Sequence, residues 1–428
     1  MPMGQAIIII NQNLLRITMS TLSKKIFATA GYNTIYMGSG RPEFNPSKPM
    51  RTFEEYLKET AEGTCKQINS PDFDEGIISN FMAGRFIKQG NLPGFLPFMI
   101  PSLQYKPCTR VEGACGSGGM AIATGIKSIL AGCANSVFVS GFEIQNTVKA
   151  VYGADFLAGA AYFNGERKNG HAHFFPNIFS KRAGVYFAKY GAEKTRQALA
   201  LWYSNAIENA RKNPKAQEHY NDAKDLIALG LTPPNPQQFL EFLNYYDCSK
   251  ISDGASSLVL ADEKGLSKMG IAKTDCVEIV GFAMAEGNIT AEPTDPSFMD
   301  TTEHVAKQLF KNTGTSIQDI SVLELHDCFT ISGLLALEAI GATPKGQGAA
   351  FILDGKTKAT GILPTNMSGG LIGFGHPTGA TGVRQMVDLL HQFSGKSDNP
   401  INLKNELGMM ISMGGNDKSL SGFIVKKA

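Results

Sequence analysis

The stretch from Gly118 to Ala131 constrains this chain more than any other. Lys127 is its only charged side chain, and Ala, Ile, Leu and Gly fill most of the remaining positions. A helix of that composition is buried nearly all round. The 428 residues are ample for such a core and suggest two or three domains or one duplicated unit.

Directly ahead lies Val111-Glu-Gly-Ala-Cys-Gly-Ser-Gly-Gly-Met120, which places Cys115 at the amino end of that helix. Unpaired N–H groups and the positive end of the helix dipole converge there and favour a thiolate. The same N–H groups suit an oxyanion formed when sulfur attacks a carbonyl. A buried structural cysteine would read alike from this segment alone.

Three downstream segments add chemistry. In Asn366-Met-Ser-Gly-Gly-Leu-Ile-Gly-Phe-Gly-His-Pro-Thr-Gly-Ala-Thr-Gly382, six glycines between Gly369 and Gly382 imply close backbone approach around one imidazole, His376. Gly375 precedes it and Pro377 pins it just before a helix, so it can take a thiol's proton and later donate to a carbonyl oxygen. No Gly-Lys-Ser/Thr follows, which excludes a P-loop. His326-Asp-Cys-Phe329 follows the apolar run Val322–Leu325, at a strand end where α/β folds place their sites. A capping Asp beside a packed thiol would read the same. Ser412-Met-Gly-Gly415 is a tight, backbone-rich turn after the last apolar run.

Composition excludes several classes. Forty basic and thirty-eight acidic side chains nearly balance, and no basic stripe with interleaved aromatics suggests nucleic acid. The apolar runs Ala6–Ile10 and Gly348–Leu353 are far too short to span a membrane. The seven cysteines (65, 108, 115, 133, 248, 276 and 328) are scattered and never spaced Cys-x-x-Cys, which fits reduced intracellular thiols rather than disulfides or zinc. His171-Ala-His173 lacks a companion ligand pattern and reads as a loop pair, so no metal is expected.

Residues 1–42 contain no acid, and Arg16, Lys24 and Lys25 punctuate an apolar run. Residues 1–25 form an expected extension: a mitochondrial transit peptide, or an over-long start with Met19 as initiator. Without a secretory h-region or a Ser-Lys-Leu ending, a cytoplasmic location is the default.

The remainder alternates strands and helices. Strands are expected at Lys25–Tyr36, Ser136–Val139, Ala255–Ala261, Cys276–Met284, Val322–Leu325, Gly408–Ser412 and Gly422–Val425. Helices are expected around Thr301–Asn312, Ile331–Ile340 and Gly379–Phe393, with a charged surface helix over Tyr186–Lys212. Residues 148–246 read as an insertion, richer in aromatics and charge than its flanks. The order of turn, small-rich helix and strand around Cys115 recurs around His376, a hint of duplication. This pattern argues α/β architecture.

Together the four motifs resemble the thiolase superfamily over most of the chain. Cys115-Gly-Ser117 is similar to its nucleophile motif and Gly375-His376-Pro377 to its Gly-His-Pro loop. His326-Asp-Cys-Phe329 resembles the third loop of sterol-carrier-protein-2-type and archaeal-type thiolases, where other members carry Asn-Glu-Ala-Phe. Ile251-Ser-Asp-Gly-Ala255 and Lys189-Tyr-Gly191 resemble further family segments.

The resemblance implies two βαβαβαββ halves in a five-layer αβαβα fold, as a homodimer or tetramer. The expected division is a first half over 26–147 and 247–278, the inserted loop domain over 148–246, and a second half over 279–428. It also implies Claisen chemistry on 3-ketoacyl-CoA through an acyl-cysteine. Cys115 would be the nucleophile and His376 its activator, with His326 holding a water in the first oxyanion hole. The N–H groups of Cys115 and Gly414 would form the second. Most thiolases end in Cys-x-Gly, whereas this chain has Ser412-Met-Gly414, so Cys328 becomes the expected second acid/base, with Asn366, Gly375 and Ser412 as supporting loop residues.

Coenzyme A thioesters serve as substrates and no cofactor is implied. Lys181, Arg182, Arg211, Lys212 and Lys215 are candidates for the coenzyme's phosphates. Alternatives are another condensing enzyme of the superfamily, or a catalytically weak acyl-CoA-binding relative.

Overall fold

The computed structural model describes residues 22–48, 50–166 and 171–428; most of the expected 1–25 extension lies outside these residues. The strands are β1 (Phe27–Asn33), β2 (Glu75–Ser79), β3 (Cys108–Val111), β4 (Ser136–Glu143), β5 (Gly254–Ala261), β6 (Cys276–Glu286), β7 (Ile320–Glu324), β8 (Leu407–Gly414) and β9 (Ser419–Lys427). The helices that shape the site are α1 (Phe53–Cys65), α2 (Ser117–Leu130), α3 (Ala150–Leu157), α4 (Phe174–Tyr190), α5 (Ala192–Ala210), α6 (Asp300–Thr313), α7 (Thr330–Ala339) and α8 (Thr381–Ser394).

The strands run in the order β3-β2-β4-β5-β1-β6-β9-β8-β7, and the sequence of pairings repeats. In the first half β2 and β4 are parallel, then β4/β5 and β5/β1 are antiparallel. In the second, β7 and β8 are parallel, then β8/β9 and β9/β6 are antiparallel. A parallel bridge from Leu323 to Thr365 stands where β3 stands beside β2. The halves join through β1 and β6, where Ala28 faces Val277.

Side-chain alternation builds five layers from this sheet. Val137 and Val139 of β4 face a central core, as do Phe423 and Val425 of β9. Their neighbours face outward: Phe138 and Phe142 onto α1, Leu420 and Ile424 onto α6 and α7. Helices α2 and α8 fill the centre between the two halves of the sheet. Strands covered on both faces read as unbroken apolar runs, and all eight residues of β4 are buried. In α2 only Lys127 is exposed.

Helices α2 and α8 cross with their backbones in contact. A Cβ on Gly382 would lie 2.2 Å from the Gly119 nitrogen, and one on Gly118 would lie 2.7 Å from the Val383 nitrogen. Glycine is required here by close approach.

Two sequence expectations need correction. The helical stretch Tyr186–Lys212 is not a surface element: Gly191, at φ +98°, divides it into α4 and α5. Leu199 and Trp202 are buried, and the Trp202 indole packs against Gly333 of α7. An apolar stripe at helical spacing, hidden among charges, decides this. The boundary at 278/279 falls inside β6, and the repeated pairing starts the second half at Cys276.

The crossing yields a direct expectation. Gly382→Ala should lower unfolding stability by about 1–3 kcal/mol, since the added methyl must separate two helices. Gly84→Ala, where a Cβ would meet no atom within 4 Å, should be near neutral. Urea denaturation of both variants checks the contrast.

Candidate active site

Because α2 and α8 cross at their amino ends, the residues ahead of each helix meet. Cys115 sits in the turn Ala114–Gly116, with Ala114 held at φ +51°. Ser117 closes that turn: its hydroxyl donates to the Ala114 carbonyl at 2.6 Å and accepts the Gly113 N–H at 3.0 Å. Against it lies the β8–β9 turn, where a Cβ on Gly116 would be 2.9 Å from the Gly414 nitrogen.

His376 is fixed from several directions. Gly375 before it has φ +113°, a conformation that favours glycine. The His376 N–H donates to Ser252 Oγ at 2.9 Å, and its carbonyl accepts Gln145 Nε2 at 3.2 Å. Its Nδ1 lies 2.7 Å from Thr381 Oγ1, whose single proton goes to the Pro377 carbonyl at 3.0 Å. The hydroxyl therefore accepts, Nδ1 carries the ring proton, and Nε2 presents a lone pair.

His326, just past β7, has the opposite tautomer. The Met413 N–H points at its Nδ1 at 3.4 Å and can only donate, so the proton resides on Nε2. The rings stand nearly perpendicular with centroids 5.0 Å apart. Both Nε2 atoms are buried without a protein partner. One ligand atom from each of Cys115, His326 and His376 lies within 4.8 Å of the others. Among the described residues this trio is the group able to hold a soft metal ion, which would occupy the lone pairs that nucleophilic chemistry needs.

The resting groups are neutral. Burial, reinforced by Glu143, pushes the Cys115 thiol up to about 12, although the Gly415 N–H pulls it down. At this helix end burial and Glu143 outweigh the N–H groups, so the thiol is raised where the sequence led us to expect it lowered. Burial also drives His376 down to about 3, assisted by the Arg384 charge, and His326 falls well below its ordinary value. Neutral imidazoles are what a proton acceptor and a neutral donor require.

Cys328 lines the same cavity, its thiol 3.8 Å from Ser332 Oγ. Burial and proximity to Cys115 push it well above the ordinary thiol value, so it is held as an acid. Asp327 turns away, accepting Trp202 Nε1 at 3.0 Å and the Leu371 N–H at 2.7 Å. Asn366, at φ +56°, clamps Leu325 by accepting its N–H at 2.8 Å and donating to its carbonyl at 3.1 Å. It thereby sets the end of β7 that carries His326.

One expected residue stands elsewhere. Ser412 is buried between the central helices, where Cβ atoms on Gly119 and Gly382 would come within 3.0 Å of its side chain. It does not line the cavity, because alternation along β8 turns it inward. The Gly415 N–H bonds the Cys115 sulfur. Gly414, paired with Ser419 in the hairpin, lies against the same turn, its nitrogen 2.9 Å from where a Cβ on Gly116 would be.

The candidate phosphate-binding cations do not surround the sulfur. Arg182 is buried against Asn416 and the Pro296 and Phe298 carbonyls, and Arg211 is spent on the Asn221 and Ala223 carbonyls. Lys212 reaches Asn399, Lys215 lies over the Tyr32 ring, and Lys181 borders a separate cavity. Lys250 does line the catalytic cavity, paired with Glu218. His171 and His173 lie in the loop before α4, with rings 6.2 Å apart.

Sequence reasoning missed Glu143. Fully buried at the end of β4, its carboxylate accepts the Phe81, Met82 and Gly379 N–H groups, Asn80 Nδ2 and Thr378 Oγ1, at 2.8–3.2 Å. It ties the loop after β2 to the loop carrying His376. The one acid in the apolar run Ser136–Glu143 was the available signal.

Residues 283–427 match the family model described as Thiolase C-terminal domain-like. The acetyl-CoA acetyltransferase of Methanothermobacter thermautotrophicus is 32% identical over 368 residues, covering 85% of this chain and 92% of that protein. The chain belongs to the thiolase superfamily. It is a thiolase-type acyltransferase. Human sterol carrier protein 2 is 29% identical over 307 residues, 68% of this chain and 53% of that one. Among solved structures, human mitochondrial 3-ketoacyl-CoA thiolase superposes with a TM-score of 0.68 at 15% identity, covering 95% of this chain and 99% of the other. The Ltp2-ChsH2(DUF35) aldolase gives 0.75 at 19% identity, covering 94% and 98%. Both likenesses bear on the fold. Among the described residues of this thiolase no helix is long and apolar enough to cross a membrane.

The raised thiol has a measurable consequence. Below its pKa the thiolate fraction grows about tenfold per pH unit. Alkylation of Cys115 by iodoacetamide in the free enzyme should therefore climb from pH 7 to 10 without levelling, behind the exposed Cys133 at neutral pH. Peptide mass mapping against pH reads this; a plateau below pH 9 would contradict it.

Proposed function

We propose that this protein is a 3-ketoacyl-CoA thiolase that works through an acyl-Cys115 intermediate. The observation that carries the reading is the hydrogen-bond pattern around two imidazoles at one sulfur, which assigns a lone pair to His376 Nε2 and a proton to His326 Nε2.

In the cleaving direction, the Cys115 thiol gives its proton to His376 as sulfur bonds to the substrate's C3 carbonyl. The N–H groups around the sulfur, of Cys115 and of the Gly414–Gly415 turn, would receive the developing oxyanion. The C2–C3 bond then breaks, and its electron pair becomes the enolate of acetyl-CoA. His326 Nε2–H, joined by the now protonated His376, stabilises the enolate oxygen. Cys328 protonates the carbon, giving acetyl-CoA. The thiol of a second coenzyme A passes its proton to the Cys328 thiolate and attacks the acyl-cysteine. Cys115 leaves as a thiolate, which His376 reprotonates, and an acyl-CoA two carbons shorter departs. Condensation runs the same steps backwards. The substrate's own C3 carbonyl is the electrophile and its thioester takes up the enolate charge, so the reading calls for no cofactor.

A second copy of the chain belongs at the free edge of β3, which ends the sheet with its residues part-exposed and Tyr105 fully outside beside it. A dimer mass in light scattering that Arg110→Pro reduces to a monomer would support this placement. The reading implies a location where acyl-CoA and reduced thiols coexist, the cytoplasm by default.

Single substitutions should separate the roles. His376→Ala should lower kcat by roughly 10²–10⁴-fold, through loss of the proton acceptor. His326→Ala should cost roughly 10²–10³-fold, through loss of one enolate donor. Cys328→Ala should still be acylated at Cys115 by acetyl-CoA yet fail to exchange α-protons, while Ser412→Ala should stay within about twofold of wild type. Mass spectrometry of the acyl-enzyme and deuterium exchange into acetyl-CoA measure these. A dead Ser412→Ala beside an active Cys328→Ala would reverse the assignment.

A further inference from the structure

The cavity over Cys115 has a volume of about 370 Å³, and its walls differ by origin. Polar groups come from the loops around β4 and β5: Gln145, Asn146, Ser249 and Lys250. The insertion supplies a mainly apolar wall, to which His173 and Tyr245 add polar atoms. Ala150, Ala154 and Leu157 lie on one face of α3, at helical spacing. From α4 come Phe175 and Phe179, again one turn apart.

This wall runs from the cavity's mouth, where Ala150 is exposed, to the reacting sulfur. Leu157 and Phe175 pack against the cluster that contains Ala114, the neighbour of Cys115. Phe179 stacks on Phe329, the neighbour of Cys328, with ring centroids 4.5 Å apart. The amide-bearing arm of coenzyme A needs hydrogen-bond partners and finds them on the loop side, whereas the α3–α4 side chains named here offer none. Alanine at 150 and 154 leaves space along α3 that an acetyl group on Cys115 would not fill.

Building on the thiolase reading, we infer that α3 and α4 form an acyl chamber for the group carried on Cys115, and that the substrates bear a hydrocarbon tail of several methylenes beyond the 3-keto carbon. Each methylene then leaves water for an apolar surface. The class is 3-ketoacyl-CoA of medium or longer chain, with acetoacetyl-CoA a poor substrate.

Binding and turnover test this separately. Calorimetry on Cys115→Ala should show decanoyl-CoA binding at least about tenfold tighter than acetyl-CoA. Adding Ala154→Phe, which fills the space, should reduce that ratio at least about threefold. If that variant fails to fold, Leu157→Ala, which enlarges the chamber, should raise the ratio for a longer chain such as myristoyl-CoA. Equal affinities for decanoyl- and acetyl-CoA, or a ratio that neither substitution moves, would overturn the chamber. In the intact enzyme, thiolysis of 3-ketodecanoyl-CoA should exceed that of acetoacetyl-CoA in kcat/KM by at least about tenfold. A binding preference with no thiolysis of either compound refutes the thiolase reading and leaves the chamber. Thiolysis of both at similar kcat/KM refutes the chamber and leaves the reading.

Discussion

The rest of the structure depends on the backbone contact between α2 and α8. Two helices meet this closely only where Gly118, Gly119 and Gly382 carry no side chains. The contact lies at both amino ends, so the turn before α2 and the loop before α8 face each other across a few ångströms. Cys115 and His376, far apart in sequence, become neighbours as a result. The duplicated sheet wraps this crossing, and its alternating side chains close the centre on both sides.

A site made in this way is largely buried, and burial sets its chemistry. Burial keeps both thiols and both imidazoles neutral at rest. Charge develops only when a substrate carbonyl arrives to receive it, and the donors are already in place. Beneath the histidines sits Arg384, fully buried, bonded to Ser368 and Asp388 and 3.6 Å from Glu324. Removing one partner of such a cluster would leave an uncompensated buried charge, so it holds α8 rigidly to the end of β7. Its positive charge also opposes protonation of the imidazoles.

Glu143 supplies a second fixed point. Its five donors come from two loops, and they fix the height of the His376 loop over β4. Thr381, Ser252 and Gln145 then set the ring and backbone of His376 itself. Catalytic geometry thus rests on these hydrogen bonds together with the buried Arg384 cluster.

Residue chemistry and pattern alone settled a good deal. A nearly uncharged run from Gly118 to Ala131 can only be a helix sealed inside, and the glycines around His376 can only mean close backbone approach; both follow from side-chain solvation and sterics, which are local. The strands at Ser136, Ala255, Cys276 and Gly422 were legible for the same reason. Tertiary structure decided what depends on who packs against whom. It buried α5 through Leu199 and Trp202, whose partners lie more than a hundred residues away. It turned Ser412 inward by strand alternation, put Gly415 on the sulfur, and made Glu143 an anchor whose donors are distant in sequence. It also set burial against the helix end at Cys115, and burial, with Glu143, raises the thiol where its N–H groups lower it.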